Sequence, residues 1–187
     1  MKITERYSTA IHSSALTVDT KTTMSDTDVL AAFGFADKAL KTGRDSQGLP
    51  VKPAPLAVPL ERLFSGDNRA AIEIVMILAN MAYTQSWVDR VKISRVQALD
   101  MAKACLAWHR DGTCKPCGGH GLTLIPGTKT HSEHDCPACF GKGKIPFESN
   151  FRQEHKALAR WLVVQMDREA GRAGPAAMQK LAERMEL

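Results

Sequence analysis

Apolar residues recur at three-to-four spacing along several stretches, and the longest stripe begins after Asp67. Ile74, Ile77, Leu78, Met81, Trp87 and Val88 fall on it and predict a core-facing helix running toward Val91, with Glu73, Asn80 and Gln85 interrupting its apolar character. Ser94 with Gln97 three residues later reads as a capping box, starting a helix whose buried stripe is Val96, Leu99, Ala102 and Leu106 and which Gly112 ends. A further helix is predicted from a Ser149 cap through Ala170, with Phe151, Leu158, Trp161, Leu162 and Met166 facing inward. Gly171 and the Gly174-Pro175 pair then break the chain before a last short helix, and a helix, glycine turn and helix in this order is compatible with helix-turn-helix recognition.

Toward the N-terminus the pattern weakens. Residues 1–24 are rich in Ser and Thr with little apolar periodicity, which predicts a disordered or loosely docked, flexible arm. Ser25 reads as an N-cap, with Asp26 and Asp28 in the first turn of a helix over 25–40 that carries Val29, Leu30, Phe33 and Leu40, with Gly34 as a weak point inside. Residues 41–59 hold Gly43, Gly48, Pro50, Pro53, Pro55 and Pro59, so an extended linker is expected there, followed by a short helix to Phe64. Residues 60–187 then form the main helical domain, interrupted by an insert over 112–147. The predicted fold is mainly α, a helical domain with a small inserted zinc-binding loop or β-hairpin.

Two copies of C-x-x-C-x-G-x-G carry the most specific chemistry: Cys114-Lys-Pro-Cys117-Gly-Gly-His-Gly121 and Cys136-Pro-Ala-Cys139-Phe-Gly-Lys-Gly143. Two residues between paired cysteines aim both thiolates at one point, and the glycines let backbone N–H groups curl toward the sulfurs. The 18 residues from Gly118 to Asp135 lie within the ~15–20 that separate the halves of a C-x₂-C…C-x₂-C zinc site. Little apolar material lies between the outer cysteines beyond Leu122, Leu124 and Ile125. Ordering a residue costs roughly 1–2 kcal/mol of backbone entropy, whereas a structural zinc site supplies about 10–16 kcal/mol, so the metal is expected to fold the segment. Cys114, Cys117, Cys136 and Cys139 would close a tetrahedral shell around one structural Zn²⁺ with no position left for substrate, which argues against an enzyme or a small-molecule substrate. Leu122 to Ile125 and Lys144 to Phe147 are the predicted flanking strands.

Rival readings of these residues fare worse. Five cysteines is an odd number for a disulfide framework, and Met1 to Thr20 lacks the apolar core of a secretory signal, so a reducing cytoplasm is expected. A redox C-x-x-C occurs once beside a βαβ pattern, not twice in a glycine-rich loop. His131-Ser-Glu133 before Cys136 imitates a zinc deaminase, but the spacing is too short to place the ligands on separate helix starts. His120, His131 and His134 read as solvated loop histidines, and Cys105 as a small core residue on its helix.

Charge adds a partner class. The chain of 187 residues is 44% hydrophobic and carries a net +5, and no stretch is long and apolar enough to predict a membrane span. From Val88 to Arg160 twelve basic residues face seven acidic ones, so this segment alone holds the whole excess. A Zn²⁺ in four thiolates subtracts two charges locally, so polyanion affinity must come from a patch. Lys142 and Lys144 beside the second cysteine pair, with Arg152, Lys156 and Arg160 at four-residue steps on one predicted helix face, are the candidate DNA contacts; a solvated helix face is the bland alternative.

Ser25-Asp-Thr-Asp-Val-Leu-Ala-Ala-Phe-Gly-Phe-Ala36, the helix holding Val75 to Tyr83, the paired cysteine turns and Leu162-Val-Val-Gln165 occur in the order found in the lambda-type bacteriophage Q antitermination family, which the chain resembles over most of its length. Between Cys139 and Leu162 it is shorter than the family pattern, and before Cys114 longer. The resemblance implies a late-gene regulator in the cytoplasm of a bacterial host. Such a protein binds double-stranded DNA at the late promoter, engages host RNA polymerase with its sigma factor at a promoter-proximal pause, and makes it read through terminators. It also implies that the four cysteines are structural zinc ligands; the DNA contacts rest on charge placement alone. J-domain cochaperones share the cysteine motif, but need four copies and a His-Pro-Asp tripeptide, neither present here. A zinc-stabilised scaffold for protein interaction is the other alternative.

Overall fold

The computed structural model describes residues 3–12, 26–44, 47–128 and 130–185. Seven helices occur among them: α1 (Ile3–His12), α2 (Asp26–Thr42), α3 (Ala57–Phe64), α4 (Ala70–Val88), α5 (Arg95–Arg110), α6 (Lys156–Glu169) and α7 (Ala173–Met185). One antiparallel pair, β1 (Leu122–Leu124) and β2 (His131–Asp135), lies between α5 and α6. The fold is mainly α with a small cysteine-rich insert, as the sequence predicted. The chain divides into two units, Met1–Ile77 with Val164–Leu187, and Leu78–Val163.

In the first unit α2 packs on α1 and α7. Val29, Ala32, Phe33, Ala36 and Leu40 repeat every three or four residues and bury against Ala173, Ala177 and Leu181 of α7. The expectation of a loose arm over 1–24 is corrected for its described part. Ile3, Tyr7 and Ala10 form a short buried stripe among Ser and Thr, and Tyr7 stacks on Phe33 with ring centroids 3.8 Å apart. Residues 13–24 and the Ser25 cap lie outside the described residues.

Residues 41–59 are not an extended linker. α2 runs on to Thr42, and α3 begins at Ala57 with Pro59 as its third residue, where a helical N–H has no intrahelical partner to lose. The loop between them is pinned from the far end of the chain. Arg172 donates to the carbonyls of Lys52 (2.8 Å) and Pro53 (3.1 Å), and the buried Glu169 carboxylate accepts the Leu56 N–H at 2.7 Å. By the same logic Gly174 and Pro175 do not break the chain but lie in the first turn of α7, while Gly171 (φ 79°) makes the turn before it.

In the second unit the predicted capping box is present. Ser94 Oγ accepts the Gln97 N–H at 3.1 Å, and Gln97 Oε1 accepts the Ser94 N–H at 2.8 Å. Met101, Ala102, Cys105, Leu106, Leu158 and Leu162 are buried, and the Cys105 thiol points at the Ala159 carbonyl. Burial pushes that thiol up to about 12, as befits an inert core residue. Trp87, Val88 and Val96, predicted to face the core, are instead 70%, 71% and 68% exposed. α4 ends at Val88 and the chain turns through Arg90 in a left-handed conformation (φ 56°), so the helix's last turn projects outward.

Two other expectations are corrected. The strand opposite β1 is His131–Asp135 rather than 144–147, where Lys144 forms only an isolated bridge with Thr113 and residues 147–150 make a 3₁₀ turn. Helix α6 starts at Lys156, not after Ser149. Two 3₁₀ turns, Phe147–Asn150 and Gln153–His155, occupy the intervening stretch, because Phe147 packs on Trp108 (4.9 Å) and His155 is buried with its ring Nε2 3.4 Å from the Lys92 carbonyl.

Candidate metal centre

The two cysteine turns are built alike and brace each other. In the first, Lys115–Cys117 form a 3₁₀ turn that Gly118 closes in the left-handed region (φ 59°), and the Gly121 N–H points at Cys117 Sγ at 3.3 Å. In the second, Phe140 takes the left-handed position (φ 52°) and the Gly143 N–H points at Cys139 Sγ at 3.3 Å. Each turn then bonds to the other: Cys114 N–H donates to the Gly143 carbonyl (2.9 Å), and Cys136 N–H to the Gly121 carbonyl (2.7 Å).

That mutual contact explains two of the glycines. A Cβ on Gly121 would lie 2.3 Å from the Gly141 carbonyl oxygen, and one on Gly143 would lie 2.2 Å from that of Gly119. Only a bare backbone fits where the two turns cross.

The four sulfurs converge as a result. Cys114 Sγ is 3.9 Å from Cys136 Sγ, Cys117 Sγ is 3.8 Å from Cys139 Sγ, and all four lie within 4.8 Å of one another. A tetrahedron with metal–sulfur bonds of about 2.3 Å has edges of about 3.8 Å, so the cage matches a thiolate-bound ion in size. All four residues are buried and form one cluster with Ile145 packed against them. Burial raises the Cys114 thiol. It also opposes ionisation of Cys117, but the Gly121 N–H and the Cys114 thiol outweigh it and lower that pKa. The cage could hold one metal ion, and a tetrahedral S₄ donor set suits zinc or iron.

The insert is tied to α5 at its base. Trp108 Nε1 donates to the Ile145 carbonyl (2.7 Å), Ile145 N–H donates to Gly112 (2.9 Å), and Lys144 Nζ sits 6.0 Å above the Trp108 ring. Lys115 pairs with Asp111, and that ammonium with the Thr113 hydroxyl and N–H holds the carboxyl down to about 2.

The basic candidates fare unevenly. Lys142 and Lys144 are exposed on the second turn, where no acidic residue occurs from Cys136 to Phe147. Arg152 precedes α6 in extended conformation (φ −60°, ψ 151°), so Arg152, Lys156 and Arg160 do not share one helical face. The intervening 3₁₀ turn breaks the 3.6-residue period on which that expectation rested. Arg160 is also engaged, its Nη2 lying 2.8 Å from Glu148 Oε1. Lys142, Arg152 and Lys156 form no ion pair among the described residues.

Sequence reasoning missed Trp108 as the brace and Phe140 as an outlier. Phe140 is 73% exposed and left-handed, where its counterpart in the first copy is Gly118. Aligning the two copies residue by residue exposes that difference. His120 and His131, read as solvated, lie ring to ring at 4.3 Å. Among the described residues no helix is long and apolar enough to cross a membrane. Compared with family models, with curated proteins and with solved structures, the chain matches none.

Proposed function

We propose that this chain is a non-enzymatic, zinc-stapled transcription factor of the lambda-type late antitermination class. It binds double-stranded DNA at a late promoter, engages host RNA polymerase holoenzyme at a promoter-proximal pause and carries it through terminators. The observation that carries this reading is the closed four-cysteine cage beside exposed, acid-free Lys142 and Lys144: the ion is sealed from substrate, while the charge around it is open to a polyanion. The resemblance of the ordered sequence blocks to that family is what supports DNA as the polyanion and RNA polymerase as the partner. Zinc is the ion assigned, since a sealed structural cage needs no redox chemistry; stoichiometric iron with visible charge-transfer bands in the purified protein would overturn it.

The deciding experiment is run-off transcription from a phage late promoter with host polymerase, scoring terminator read-through with and without the protein. Read-through that depends on the protein is expected, as is promoter affinity falling with salt at a log–log slope of about −0.9 per phosphate neutralised. Salt-insensitive binding, or none, would refute the DNA reading.

A second reading is a zinc-stabilised scaffold for protein interaction. The pairing of Arg160 with Glu148 and the dispersal of the basic stripe favour it, because both reduce the charge available to a phosphate backbone.

A further inference from the structure

The elbow between α4 and α5 carries a cleft of about 610 Å³, lined by Trp87, Arg90, Val91, Lys92, Ile93 and Gln97 among others. Its size falls within the roughly 300–1,000 Å³ of ligand and peptide-anchor pockets. Two kinds of group meet there. Trp87 on its wall leaves a large apolar side chain in water beside the aliphatic Val91 and Ile93, while Val88 and Val96, also exposed on the elbow, lie outside the lining. Arg90 and Lys92 add positive charge and form no ion pair among the described residues. Arg95, next along, is already seated over the Tyr83 ring at 4.6 Å, and Tyr83 meets Trp87 edge-on at 6.1 Å.

Neither nearby carboxylate pairs with Arg90 or Lys92. Asp89 accepts from Gln85 Nε2 at 2.9 Å, and Glu154 lies 3.7 Å from His155. Trp and Arg held by their neighbours are the residue types on which protein interfaces concentrate their binding energy.

We propose that this cleft docks an acidic segment of a partner protein that carries an apolar or aromatic anchor. The anchor fills the space beside Trp87, Val91 and Ile93, and the flanking carboxylates meet Arg90 and Lys92. Charge complementarity selects this occupant. A phosphate backbone would satisfy the cations but leave the aliphatic wall in water, and a neutral apolar ligand would leave the cations unmatched. The inference is independent of DNA binding, because Lys142 and Lys144 are not part of the cleft.

The test uses the whole, metal-loaded chain and two short labelled peptides, one alternating Asp and Glu with Leu around a central Phe, the other with Lys in place of the acids. Anisotropy titration should show the acidic peptide binding and the basic one failing to bind. Trp87→Ala should weaken binding by about tenfold or more, and R90E/K92E should abolish it while admitting the basic peptide. Both substitutions fall on exposed residues, so circular dichroism should be unchanged. Equal binding of the two peptides, or an unaltered affinity in Trp87→Ala, overturns the proposal. So does a dimer that Trp87→Ala dissolves in sedimentation, which would make a second copy of the chain the occupant. A single-stranded oligonucleotide that binds only while Trp87 is present would overturn it in favour of nucleic acid.

Discussion

If Gly121 is glycine because the opposite turn's backbone passes through the place of a side chain, then Gly121→Ala and Gly118→Ala must differ sharply although both residues are left-handed. At Gly118 (φ 59°) the nearest atom to an added Cβ is 3.8 Å away, an ordinary contact. Alanine there suffers only the left-handed cost of about 1–2 kcal/mol. On the proposed zinc staple, in which metal binding and folding of the insert are one equilibrium, this should weaken zinc binding roughly tenfold. At Gly121 (φ 80°) the Cβ lies 2.3 Å from the Gly141 carbonyl oxygen, about 1 Å inside the ~3.5 Å of a comfortable contact. The opposing loop must shift by about that much, taking Cys139 with it and disturbing the Gly121 N–H that points at Cys117 Sγ. Loss of such outer-shell support costs about 10–100-fold in metal affinity, so Gly121→Ala should bind zinc about 100–1,000-fold more weakly than the parent. Competition against a chromophoric chelator on the whole chain measures both variants. If their zinc affinities agree within about threefold, the crossing backbones are not what demands glycine, and the reasoning fails.

Chelating the ion should release amide protection across residues 112–147, because the buried cluster there is built of the four cysteines with Ile145 against them, while the separate core around Phe33 and Leu40 keeps its protection; hydrogen exchange that leaves Gly121 and Gly143 unchanged would contradict this. Tyr7 should confer an alkaline limit on stability. Burial raises its phenol from 10.0 to about 12, so its contribution is complete below pH about 10 and is lost as pH climbs toward 12, a loss that thermal melts should find absent over that window in Tyr7→Phe. Removing the acceptor in Glu169→Ala should cost about 1–3 kcal/mol by orphaning the buried Leu56 N–H, whereas Glu169→Gln keeps an acceptor and should cost less; equal denaturant midpoints for the two would refute the cap.

Features that depend on neighbours in the chain were legible in the sequence. The spacing of Cys114, Cys117, Cys136 and Cys139 announced a four-sulfur cage, Ser94 and Gln97 announced a capping box, and the apolar period announced most helices. These need only local backbone geometry, which the residues themselves dictate. What faces an apolar stripe is not a local property, so periodicity placed Trp87, Val88 and Val96 on apolar stripes without revealing that all three are exposed. Partners distant in sequence decided the rest. Arg172 and Glu169 turn the proline-rich stretch into a pinned loop, Trp108 and His155 hold residues 147–155 out of α6, and β2 is a polar strand with no pattern of its own. The cage shows both levels at once. Local spacing aims each pair of thiolates, but the demand for glycine at 121 and 143 arises only where two turns, 22 residues apart, share the same space.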